Sequence, residues 1–320
     1  MTGLRRRFAP LALGLALLVL AGCAVQTQAL RAHPPAQLAT ARELSATPFF
    51  PQTEFHCGPA ALATALAAID RGVPPETLAT QVFLPAREGT LQVEMLAGAR
   101  RQGAVPTRLP AQLEALFAEV QAGHAPVVLL NLGLSFVPRW HYAVLVGYDL
   151  DAGDVVLRSG TTERAVMAMR TFEHTWQRAG GWAFVALPPG HWPGSAAEAA
   201  VVEAAVGFER VAPPAQAVAT YRSALQRFEG NLSLAIGLGN SLYAMGDRAA
   251  AAAAFEAAAR RHHSAPAWIN LATVRLELGE RDAAVVAARE AVGLADPAWA
   301  DEAKRALAQA EAGRTPADNR

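Results

Sequence analysis

Gln52-Thr53-Glu54-Phe55-His56-Cys57-Gly58-Pro59-Ala60-Ala61-Leu62 is the stretch on which the fold turns. Pro59 suits the first turn of a helix, where its missing N–H has no partner to lose, and an alanine-rich run continues to about Asp70. The Cys57 thiol therefore belongs at a helix N-terminus, where free amide N–H groups and the macrodipole favour a thiolate and lower its pKa. Gly58 would let a substrate backbone come close. Gln52, five residues before the cysteine, can donate to an oxyanion beside the Cys57 N–H. The plain alternative for a lone cysteine is a small, inert, buried hydrophobe.

A nucleophilic cysteine needs a base, usually distant in sequence. His33 lies in a polar N-terminal stretch, His262 and His263 lie in a helical C-terminal region, and His124 sits in a turn. His141 differs from these and from His56, His174 and His191: it opens Trp140-His141-Tyr142-Ala143-Val144-Leu145-Val146-Gly147-Tyr148-Asp149, a run of strand-forming residues. The pattern predicts helices at about 59–70, 75–82, 90–102 and 110–122, then strands at about 127–132, 141–148, 154–158 and 163–169. A short helix over 171–178 and a strand over 182–187 follow. Helices first and strands second describe an α+β domain. Phe49, Phe50, Phe136, Trp140 and Trp176 are candidates to line its cleft or to pack its core.

The Gln52…Cys57-Gly58-Pro59-Ala60-Ala61 arrangement, joined to a histidine heading a strand that ends in Gly147-Tyr148-Asp149, resembles the papain-like superfamily. Within it, the pattern is similar to the bacterial double-glycine (bacteriocin-processing) cysteine peptidases and their stand-alone relatives. The resemblance implies Cys57 as nucleophile, His141 as base, and Gln52 with the Cys57 N–H as oxyanion donors. Relatives carry a third residue, an Asp in an Asp-Pro pair after the next strand, which holds the imidazole. Here Val155-Val156-Leu157-Arg158-Ser159-Gly160 places Ser159 at about the Asp position and Gly160 in place of Pro. Ser159 is one candidate for that role, Asp149, Asp151 or Asp154 are others, and loss of catalysis is the remaining explanation. His56 also replaces an Asp common before the cysteine, and Trp140 a common Gly. Double-glycine specificity belongs to relatives fused to transporters and is not carried over.

Arg5-Arg6-Arg7 and the apolar run Leu11–Leu20 form a signal-peptide pattern over residues 1–22, too short for a comfortable membrane span. It ends in Leu20-Ala21-Gly22-Cys23, which resembles the bacterial lipobox and implies lipidation of Cys23. Ala24, where an inner-membrane retention signal would have Asp, favours the periplasmic face of a Gram-negative outer membrane. Residues 23–46 read as a polar tether. With Cys23 lipidated, Cys57 is the one thiol left in an oxidising compartment. Basic and acidic residues balance at 28 each, which argues against nucleic acid as a partner. The histidines lack ligand spacing, so no metal and no cofactor is expected.

After a peptidase-like domain over 47–188, Pro188-Pro189-Gly190 and the residues to 196 mark a linker. From 197 to 312 the chain turns alanine-rich and periodic. Ala217, Tyr221 and Ala224 recur as Ala251, Phe255 and Ala258, then as Ala284, Ala288 and Ala291. Leu238-Gly239 aligns with Leu271-Ala272, Gly246-Asp247 with Gly279-Glu280, and Trp268 opens the last full unit. This resembles the tetratricopeptide repeat, an all-α solenoid, with an earlier degenerate unit around Phe208, a polar capping helix over 298–312 and a disordered tail over 313–320. Such repeats usually bind peptides or proteins. The expected function is a membrane-anchored cysteine peptidase acting on a peptide or protein recruited partly by the repeats. The rivals are a catalytically degenerate lipoprotein scaffold and an acyltransferase using the same cysteine.

Overall fold

The computed structural model describes residues 24–52 and 55–312. The expected signal segment 1–22, Cys23 and the tail 313–320 lie outside the described residues, as do Thr53 and Glu54.

The first domain is built on strands β1 (Ala41–Glu43), β2 (Val105–Arg108), β3 (Val127–Asn131), β4 (Trp140–Asp149), β5 (Asp154–Ser159), β6 (Thr162–Ala168) and β7 (Ala183–Leu187). They form one antiparallel sheet in the order β2-β7-β3-β4-β5-β6, with β1 paired to the far half of β4. The central strands are apolar at nearly every position because both faces are covered. Val127, Leu129, Tyr142, Val144 and Val146 pack with the helices Cys57–Ala67 and Gln92–Arg101. Val128, Leu130, Ala143 and Leu145 pack with Leu113–Gln121 and Met169–Gln177. The α+β fold expected from the sequence is the fold observed.

Two strands escaped the sequence pattern. β1 is Ala-Arg-Glu, with no large apolar residue, and β2 contains Pro106. β2 is an edge strand, where a missing N–H is tolerated.

Residues 24–46 do not form the expected polar tether. Val25–Ala32 is a helix laid on the domain. The Gln26 and Thr27 N–H groups donate to the buried Glu173 carboxylate at 3.1 and 2.8 Å, so the free first-turn donors find their acceptor 147 and 146 residues away. Leu30 enters the core, and Arg31 donates to the Leu150 and Asp151 carbonyls at 2.8 and 2.9 Å. A cap supplied by a distant carboxylate leaves no local mark, which is why the segment reads as a tether.

Seven helices follow, Glu198–Glu209, Pro214–Arg227, Leu232–Ala244, Arg248–His262, Ala265–Glu277, Arg281–Gly293 and Ala300–Glu311, each packed on the next. All nine recurring positions named above are buried. Gly239 lies against the Phe255 ring and Gly237 against the Tyr221 ring, too close for any side chain. The connection between the domains is pinned at both ends. The buried Glu119 carboxylate accepts from the Ser195 N–H and hydroxyl at 2.8 and 2.7 Å and lies 2.6 Å from His124 Nδ1. Arg227 donates to the carbonyls of Pro193, Gly194 and Ala196.

Candidate active site

Cys57 opens its helix at the end of the sheet where β4 begins. Its side chain shares a small cavity with Phe49, Phe50, Gln52, Tyr142, Ser159 and Gly160. The free volume there is about 10 Å³, room for roughly one water molecule. Burial pushes the thiol pKa up, and the N–H groups of Tyr142, Gly58 and Cys57 itself hold it back only in part. The sequence expectation of a thiol lowered by the helix N-terminus is therefore corrected: desolvation outweighs the amide donors.

His141 is the second residue of β4, adjacent to the Tyr142 whose N–H faces the thiol. Its Nε2 lies 2.8 Å from Ser159 Oγ. Burial, and then the nearby Arg139 charge, push its pKa below the ordinary value. Both shifts favour the uncharged form of each group. No hydrogen bond joins them in this arrangement. The arrangement is therefore not a preformed thiolate–imidazolium pair.

Ser159 occupies the place of the absent Asp, and the strand pairing explains how it reaches His141. The β5–β6 turn carries Ser159 and Gly160 back beside the head of β4. Gly160 has φ +65°, closed to proline and strained for residues with a side chain. Its carbonyl accepts from the Gln52 N–H at 3.1 Å. The Ser-Gly pair thus holds the imidazole through one atom and the Gln52 backbone through another. The three aspartates are removed from contention by the same topology. Asp149 ends β4 opposite Asp154, eight residues from His141, roughly 27 Å along an extended strand. Asp151 lies in the turn between them.

One further expectation is corrected, and among the candidate aromatics the choice between cleft and core is resolved. Gly58 is buried, and a side chain there would strike Thr90, so the glycine admits the Thr90 loop rather than a substrate backbone. Trp176 is fully buried on the opposite face of the sheet with Phe172. Phe49 and Phe50 line the cavity, whereas Phe136 and Trp140 are exposed.

Arg158 was not legible as a site residue. It is buried beside Ser159 and donates to the carbonyls of Ser45, Thr47 and Glu163 at 2.9, 3.1 and 2.8 Å. It ties the irregular segment leading to Phe49, Phe50 and Gln52 to β5. An arginine in a strand ordinarily reads as solvent-facing, so no local signal marks it.

Among the described residues, no cluster of His, Cys, Asp and Glu could hold a metal ion.

A two-face-covered antiparallel sheet, with Cys57 at one helix start and His141 at the head of the central strand, is the α+β arrangement of a papain-like fold. Residues 45–184 match the model of the Peptidase_C39 like family. No curated protein matches the chain. Among solved structures it is similar to a double-glycine motif protease from an AMS/PCAT transporter in complex with the leader peptide, at 20% identity and TM-score 0.34, covering 44% of this chain and 91% of that one. A C39-like peptidase from Bacillus anthracis matches at 19% identity and TM-score 0.39, over 46% and 97%. The peptidase domain of Streptococcus ComA, a bi-functional ABC transporter of a quorum-sensing pathway, matches at 17% and 0.37, over 44% and 98%.

Proposed function

We propose that the chain is an envelope lipoprotein anchored through Cys23, whose first domain is a thiol hydrolase that cleaves a peptide or protein. The observation that carries the reading is the Ser159–His141 contact beside the cavity that holds Cys57 and Gln52. Cys57 Sγ attacks the scissile carbonyl carbon while the free nitrogen of His141 takes the thiol proton. Gln52 with the Cys57 N–H steadies the oxyanion, and His141 passes its proton to the leaving amine. Water, deprotonated by His141, then releases the acyl group, and the thiol regains the proton. The helices after residue 197, read as tetratricopeptide repeats, recruit the substrate or a protein partner.

The test is digestion of a mixed peptide library by the purified full-length protein in detergent, read by mass spectrometry. Wild type should generate new termini, and Cys57→Ala and His141→Ala should not. Cleavage that survives both substitutions refutes the assignment. A binding role is the second reading, favoured by the uncharged thiol and the missing thiol–imidazole hydrogen bond. It predicts peptides retained intact by wild type and by Cys57→Ala alike.

A further inference from the structure

The hairpin between β3 and β4 is an exposed apolar finger. Phe136 is 81% exposed, Val137 62%, Leu134 56% and Trp140 55%. Exposure of this kind in one short segment marks an interaction surface rather than ordinary surface scatter. The finger is also built. Asn131 Oδ1 accepts from the N–H groups of Gly133 and Arg139 at 3.0 and 2.9 Å, closing its base, and Leu134 and Val137 pair across its tip. Gly133 packs so close to the Val137 carbonyl that no side chain fits. A braced hairpin can present apolar side chains with little ordering cost on binding.

The position of the chain's exit says what covers it. The helix Val25–Ala32 runs alongside the sheet from Ala111, which accepts from Gln26, to Leu150 and Asp151, which accept from Arg31. Leu150 follows the end of β4, whereas Ala111 follows the end of β2, level with the start of β7. Ala24 and the 60%-exposed Val25 therefore stand at the end of the sheet that carries the finger. Arg178, on the helix that also touches Ala111 through Gln177, donates to the Asn131 carbonyl at the finger's base at 3.0 Å. Because 25–32 is packed rather than loose, a lipid attached next to Ala24 would be held near that end.

We infer that this end of the first domain lies on the bilayer, with Leu134, Phe136, Val137 and Trp140 entering the headgroup–acyl boundary. The inference rests on the anchoring proposed above. Trp140 suits the interfacial belt, and Arg139 and Arg178, both exposed, suit anionic headgroups. Glu163 heads β6 at the same end and contributes the opposite charge. Cys57 and His141 share that end, so the cleft opens along the membrane surface and meets polypeptide held there.

The experiment uses the full-length lipidated protein in vesicles of phosphatidylethanolamine and phosphatidylglycerol. A nitrobenzoxadiazole label goes on Phe136→Cys in a Cys57→Ala background, with Asp151→Cys as the opposite-end control. Flotation first reports anchoring. If the protein floats, the label at 136 should be blue-shifted and shielded from aqueous iodide, while that at 151 stays quenchable. A floating protein whose 136 label is quenched as freely as the 151 label overturns the finger proposal and leaves anchoring intact. Shielding at 136 that persists in detergent-free solution without vesicles assigns the finger to a second copy of the chain. Shielding that requires added peptide assigns it to substrate. Both results overturn the proposal, and failure to float removes anchoring and the finger proposal together.

Discussion

Replacing Ser159 tests the site at its least expected point. Ser159 Oγ lies 2.8 Å from His141 Nε2, and the imidazole sits below its ordinary value through burial and Arg139. Ser159→Ala removes one neutral hydrogen bond, worth about 0.5–1.5 kcal/mol, so steps that need an oriented imidazole should slow about two- to tenfold. Ser159→Asp places a carboxylate at the same nitrogen, which should raise the imidazole pKa by roughly 1–3 units. The sign follows from charge: a raised pKa means His141 stays protonated to higher pH, and a protonated imidazole favours the Cys57 thiolate. Alkylation of Cys57 by iodoacetamide should then begin at lower pH in Ser159→Asp than in wild type, whose thiol pKa burial pushes up. Nuclear magnetic resonance of labelled imidazoles gives the His141 titration directly, and alkylation rate against pH gives the thiol. If Ser159→Ala and Ser159→Asp both leave the His141 titration unmoved, Oγ does not act on that nitrogen and the reasoning fails.

In the repeats, Gly239→Ala drives a methyl into the buried Phe255 ring; overpacking of about 1–3 kcal/mol outweighs a helix gain of about 1. The urea midpoint should fall, and Phe255→Leu in the same chain should recover part of it; simple additivity of the two changes would count against the contact. At the domain junction, burial pushes Glu119 up, but the hydrogen bonds from His124 and Ser195 prevail and hold its carboxyl below the usual 4.5. A lowered folded pKa stabilises above the unfolded value and is lost as pH falls through the folded one. Glu119→Gln should therefore cost about 1–3 kcal/mol near neutral pH, with a difference from wild type that shrinks below pH ~4.5. Parallel urea midpoints at pH 7 and pH 4 would refute it.

The place of Cys57 at a helix start was legible because Cys57-Gly58-Pro59 is a local signal: a proline is tolerated in the first turn of a helix. His141 was legible because a histidine heading an apolar strand is uncommon. The choice among Ser159, Asp149, Asp151 and Asp154 was not, since it depends on which end of β4 each reaches, and only strand pairing supplies that. The thiol's direction of shift was misjudged for a related reason. Sequence shows the helix N-terminus, which lowers a thiol pKa, but not the walls of the cavity, which raise it. The packed helix over 25–32 was hidden because its cap comes from Glu173.

The helix around Phe208 departs from the periodic pattern of the later helices, and its packing differs from theirs. In a solenoid, an internal unit packs on a preceding unit, and its small and aromatic positions serve that contact. The Glu198–Glu209 helix has no preceding repeat and lies instead against β2, the sheet's edge strand. Phe208 is buried with Val105 of β2, and Gly207 makes room for the Arg100 side chain of the first domain. These positions are thus fitted to a β-strand and an arginine rather than to a neighbouring helix pair. The arrangement also covers an edge strand that would otherwise offer unpaired backbone to other chains. The helical region is thus fastened to the domain it follows through Phe208 and Gly207.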